Sequence, residues 1–142
     1  MNALKYFTIN EMIRSSKAKL HKIDNRPNEE QEKNIHALIM NVLDPLREAF
    51  GKPICVNSGF RCEELNALVG GVKNSHHLCN DGYAAADLNT RTKKGNRRLF
   101  ELAQELDLPF CQLIDENNAT WIHISYNPYD IRKQAFHELK YK

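Results

Sequence analysis

Apolar side chains recur at three- and four-residue steps through residues 29–50, at Ile35, Leu38, Ile39, Val42, Leu43, Leu46 and Phe50. That stripe predicts one long amphipathic helix, with Glu29, Glu30, Glu32, Lys33 and Arg47 on its wet side. Pro45 removes a backbone donor inside it, so a kink or break is expected near Leu43 and Asp44. Upstream, Thr8 followed three residues later by Glu11 reads as a capping box opening a short helix, with Ile9, Met12 and Ile13 turned inward. Residues 16–28 hold no sustained period and read as an ordered surface loop. Past the stop at Gly51, Lys52 and Pro53, residues 54–58 predict a strand, and residues 63–69 a short helix closed by Gly70 and Gly71. Residues 71–81 are polar and loop-like, and the compact apolar run 83–89 reads as a second strand. A basic stretch, 90–98, leads into a helix through Leu99, Leu102, Ala103 and Leu106. Two further strands, 110–116 and 120–126, form a hairpin around Asn117, Asn118 and Ala119. From residue 127 onward the expectation is a loosely packed tail that frays, holding Ile131 and Phe136 weakly and giving His137 no role.

Composition narrows the class without naming a function. The 142 residues are 42% hydrophobic and 27% charged with a formal net charge of +2, which suits one folded domain over 1–142 and argues against disorder. The basic residues from Arg91 to Arg98 lack interleaved aromatics, so they read as a solvated turn and helix start, and no nucleic-acid partner is expected. No apolar run approaches a membrane span and the first residues lack a charged region followed by an apolar one, so membrane insertion is not expected. The expected place of synthesis is the cytoplasm, so that any work outside the cell requires release by another agent. Cys55, Cys62, Cys79 and Cys111 show no C-x-x-C spacing and read as reduced thiols, Cys79 as a small buried one.

The chemistry concentrates in two places. Ser75-His76-His77 is followed by Asp87 at the end of the second strand, and His123 lies in Trp121-Ile122-His123-Ile124-Ser125. Alternation puts Trp121, His123 and Ser125 on one face and the two isoleucines on the core side. Two imidazoles and a carboxylate from separate segments are a sufficient protein ligand set for zinc with one coordination position open. By itself a strand histidine is more often an ordinary one, and His36 reads as a surface side chain. Arg61, just after the first strand, is either a substrate anchor or the partner of Glu63 or Glu64 on the surface.

Taken together, these residues resemble the zinc peptidases of bacterial cell walls, a family of D-Ala-D-Ala carboxypeptidases, VanY-like enzymes and phage L-alanyl-D-glutamate endolysins. The resemblance runs from Phe7-Thr8-Ile9 through Asn41-Val42-Leu43-Asp44-Pro45-Leu46-Arg47, Asn57-Ser58-Gly59-Phe60-Arg61, Leu65-Asn66 and Val69-Gly70-Gly71. It continues through Ser75 to Asp87 and ends in Trp121-Ile122-His123-Ile124-Ser125-Tyr126. It implies an α+β fold shared with Hedgehog signalling domains, a small antiparallel sheet flanked by helices. It implies His77, Asp87 and His123 as ligands of a zinc ion, with His76 left as an alternative to His77. Glu116, in Gln112-Leu113-Ile114-Asp115-Glu116, becomes the general base, with Asp115 on the opposite face of that strand. Arg61 becomes a catalytic and substrate-binding residue beside Trp121 and Ser75, and the serines orient rather than attack. This chain departs from the family in placing Asp87 ten residues after His77 instead of seven, with about three extra residues between Cys79 and Tyr83. The implied activity is hydrolysis of an amide bond in a peptidoglycan stem peptide by a monomer. The alternative is a zinc-containing cell-wall-binding or virion structural module without catalysis.

Overall fold

The structure, a computed structural model, describes residues 3–139. Thr8 opens the first helix, α1 (Ile9–Ile13), with the expected capping box: its hydroxyl accepts from the Glu11 amide at 3.1 Å, and the Glu11 carboxylate accepts from the Thr8 amide at 3.3 Å. The loop expected for residues 16–28 instead begins with a helix, α2 (Ser16–Leu20), whose N-cap Ser15 accepts from the Ala18 amide. One and a half turns are too short to display an apolar period, so only the cap betrays it.

The long stripe forms α3 (Glu29–Leu38), a π-helical turn (Ile39–Leu43) and α4 (Asp44–Phe50) in unbroken succession. Pro45 therefore does not end the helix. The backbone widens just before it, the Asp44 amide reaching the Ile39 carbonyl, so that proline falls in the first turn of α4, where a missing donor is tolerated. The Asp44 carboxylate then faces back to the N-terminal segment and accepts from the amides of Lys5 at 2.7 Å, Tyr6 at 3.0 Å and Phe7 at 3.2 Å.

Five strands make one sheet in the order β1-β2-β4-β3-β5: β1 (Cys55–Ser58), β2 (Ala84–Asn89), β3 (Gln112–Glu116), β4 (Trp121–Tyr126) and β5 (Gln134–Glu138). The first four pair antiparallel, as expected for this α+β class, but β5 lies parallel to β3. Within the tail, residues 134–138 thus form an edge strand, while the end expected to fray, residues 140–142, lies outside the described residues. The residues of β5 are too polar to announce a strand, and it is held by main-chain pairing and by His137, whose Nδ1 lies 2.7 Å from an Asp115 oxygen and whose ring packs on Phe100.

The helices α3, α4 and α6 (Lys93–Glu105) cover one face of the sheet. Leu38, Ile39, Leu43 and Leu46 meet Leu88, Ile122 and Ile124 of the strands and Leu99 of α6 in a water-free core. Alternation along β2 and β4 sends Asp87 and His123 to the other face, where they meet His77 and Arg61, the latter bonded to Asn66 of the helix α5 (Glu63–Leu68).

Candidate metal centre and active site

Sheet register assembles most of the site. Asp87 on β2 stands opposite His123 on β4, and on β3 Ile114 stands opposite His123 while Glu116 stands opposite Trp121. Opposed residues share a face, so Asp87, His123, Trp121 and Glu116 lie together while Asp115 points away. Asp115 instead accepts from the Ala119 amide in the hairpin turn.

His77 comes to this face from outside the sheet. Ser75 caps a 3₁₀ turn (His76–Leu78) by accepting from the His77 amide at 3.1 Å, and the Arg61 amide donates to the His77 carbonyl at 2.8 Å. The ring is set by Gly59, whose carbonyl lies 2.7 Å from His77 Nδ1. Only glycine fits there: a Cβ on Gly59 would stand 2.5 Å from the Met12 carbonyl oxygen, which in turn accepts from the Phe60 amide at 2.7 Å.

The result is a triangle of His77 Nε2, His123 Nδ1 and Asp87 Oδ1 with sides of 3.0–3.2 Å, all three residues being buried. Its protons do not add up as a hydrogen-bond network. A carbonyl only accepts, so His77 Nδ1 carries the hydrogen for Gly59; burial pushes the His77 pKa down and favours the neutral ring. Nε2 therefore presents a lone pair to an Asp87 oxygen 3.2 Å away. Burial by itself raises the Asp87 pKa, and only imidazoles that turn a hydrogen or positive charge toward it hold this carboxyl well below the usual range; the His77 tautomer turns neither. Ionised carboxylate and neutral ring nitrogen in contact repel unless a cation lies between them. Ligand atoms about 2.0–2.1 Å from a shared tetrahedral ion are about 3.3 Å apart, close to the spacing found here. Among the described residues, His77, Asp87 and His123 are a group that could hold a metal ion.

The segment between His77 and Asp87 runs through a tied turn. The chain passes through left-handed conformations at Cys79, Asp81 and Gly82, and helix α3 pins it, with Gln31 Nε2 donating to the Leu78 carbonyl and Asn80 Oδ1, and Asn34 Nδ2 to the Cys79 carbonyl. From the other side, Asn127 Nδ2 donates to the Asp81 carbonyl. Cys79 is fully buried with its thiol pushed up to about 12 by burial, so it stays protonated. His76 turns aside from the triangle. Its ring stacks on Tyr83 with centroids 4.1 Å apart, and its Nδ1 lies 3.0 Å from Ser125 Oγ. Burial pushes its pKa down to about 4.

Arg61 lies beside the triangle and not with Glu63 or Glu64. Its guanidinium is 3.5 Å from Asp87 Oδ2, while Nε donates to Ser58 Oγ and Nη1 to Asn66 Oδ1, both at 3.1 Å. Asn66 is braced through its donation to the Val72 carbonyl, and Gly71 leaves it room, since a Cβ there would meet Asn66 Oδ1 at 2.1 Å. Burial lowers the Arg61 pKa, and the charges of Asp87 and Glu116 work against that. Glu116 is 2% exposed and accepts from the Trp121 indole at 2.9 Å. Asn66, Asn25 and Gln31 escape a sequence reading because an isolated amide on a helix or loop carries no pattern. Asn25, for instance, donates to the Ile13 and Phe60 carbonyls and accepts from the Cys62 amide.

A sheet that gathers buried His, Asp and His side chains with an arginine and a carboxylate close by is the arrangement of a metal-dependent hydrolase. Residues 5–125 match the family model described as Peptidase M15, and the chain belongs to that metallopeptidase family. The match runs from before α1 to β4 and leaves β5 outside it. No curated protein matches the chain at a significant level. No helix among the described residues is long and apolar enough to cross a membrane.

Proposed function

We propose that the protein is a zinc peptidase that hydrolyses an amide bond in peptidoglycan stem peptides, and that His77 Nε2, His123 Nδ1 and Asp87 Oδ1 hold the ion. The observation that carries this reading is the His77 ring, whose tautomer is set by the Gly59 carbonyl so that its free lone pair meets a carboxylate oxygen. A zinc ion held there would supply Lewis acidity toward an amide carbonyl and toward water. Glu116 takes the proton from the attacking water and returns it to the departing amine. Its carboxylate is aimed by the Trp121 indole, which also walls the site. Arg61 stays charged despite its burial and binds the carbonyl or carboxylate oxygens of the peptide. Ser75 acts on the substrate side only through the position it gives His77.

The test is incubation of the zinc-loaded protein with isolated cell walls, beside Glu116→Ala and His123→Ala. Release of new amino termini by the parent and by neither variant is the expected result, and mass spectrometry of the fragments identifies the bond and separates carboxypeptidase from endolysin-type cleavage. Equal wall binding by all three proteins without cleavage would overturn the proposal in favour of a binding or virion structural module.

A further inference from the structure

On the far side of Arg61 lies a second feature that the chemistry above does not use. β1 is an edge strand, paired within the sheet only with β2. Along it runs a cavity of about 550 Å³ lined by all five residues 54–58. Successive strand side chains point to opposite faces, so a cavity touching five in a row follows the backbone edge. Its opposite wall is the corner between α1 and α2, with Arg14 and Lys17, and Arg61 also lines it. These three cations face one lining carboxylate, Glu11, which is already engaged with the Thr8 amide. The groove adjoins the metal-ligand group at Ser58, which accepts from Arg61 and pairs in the sheet with Asp87.

We propose that this groove binds the acidic arm of the substrate as an added strand on β1, with Arg14 and Lys17 contacting its carboxylates; the inference rests on the peptidase reading above. A four-residue strand spans about 13 Å, room for about four residues of an extended peptide. Main-chain hydrogen bonds to the free edge supply affinity whatever the side chains, and the cations select for acidic ones. Stem peptides, which are short and rich in free carboxylates, suit both features.

The test compares the parent with the double variant Arg14→Glu, Lys17→Glu, both sites being exposed, on a synthetic stem peptide with free carboxylates and on the same peptide with its side carboxylates amidated. For the parent, amidation is expected to raise KM about tenfold with kcat kept. In the variant the acidic peptide shows at least that raised KM already, and amidation no longer raises it further. A variant that keeps the parent's KM and its full preference for the acidic peptide overturns the inference. A readout independent of catalysis is amide exchange in the zinc-free protein, where the acidic peptide slows exchange at those amides of residues 55–58 that point to the free edge. Binding without protection anywhere in residues 55–58 also overturns it. Should the parent cleave neither peptide, the peptidase reading fails separately, and the exchange experiment still decides the groove.

Discussion

The two adjacent histidines, alike in sequence, do different work. His77 faces Asp87 and His123, whereas His76 stacks on Tyr83 and meets Ser125. His77→Ala is accordingly expected to weaken zinc binding by about 100-fold or more, and His76→Ala by only a few-fold, as read by competition with a chelating dye. Cys79 makes a second case. The folded thiol, pushed up to about 12, keeps its proton while the unfolded one, at 9.0, loses it. Stability from this group is present below pH 9 and is lost as pH rises toward 12. Cys79→Ala should therefore flatten the fall of unfolding free energy with pH in that window. In the native protein at pH 8, iodoacetamide should modify the half-buried Cys55 and Cys62 and spare Cys79, by mass spectrometry. At this scale the sequence shows the faces of His123, Asp115 and Glu116, because strand alternation is a two-residue rule, whereas the unalternating apolar run around Asp87 does not announce its face. The sequence does not show that Asn66 holds Arg61 or that Asn25 ties three backbone groups, since those bonds join positions with no periodic relation.

Among the elements, those with an apolar period are legible, namely α3 with α4, α6 and the hairpin of β3 and β4. Those without one, α2 and β5, are not. Pro45 does mark an irregularity near Leu43 and Asp44, which takes the form of a π turn passing into α4 rather than an interruption. The same junction places Asp44, whose carboxylate gathers three amides from Lys5 to Phe7. Asp44→Ala is expected to cost about 2 kcal/mol in urea unfolding, and to speed amide exchange in the N-terminal segment. β5 shields the outer edge of β3, pairing Glu138 with Glu116. Removal of residues 134–142 should leave a cooperative fold of lower melting temperature in which β3 amides exchange faster and wall cleavage falls.

For the whole molecule, the three proposed ligands are drawn from a loop and two strands far apart in sequence, so the ion binds a surface that exists only once the sheet has formed. Zinc at 1,000 times its dissociation constant then adds about 4 kcal/mol to stability. The parent should melt higher with zinc than with chelator, and His123→Ala should melt alike in both. That difference needs no substrate and stands apart from any assay of cleavage.

Gly59, Phe60 and Arg61 are consecutive. The first receives the His77 ring, the second is moored to Met12 and the third both meets the His77 backbone and extends its guanidinium toward Asp87. A load placed on that guanidinium is transmitted along a short covalent lever to the imidazole. The proposed grip on an incoming chain and the alignment of the proposed ligands are thus parts of one rigid linkage, and slack in either would be felt by both.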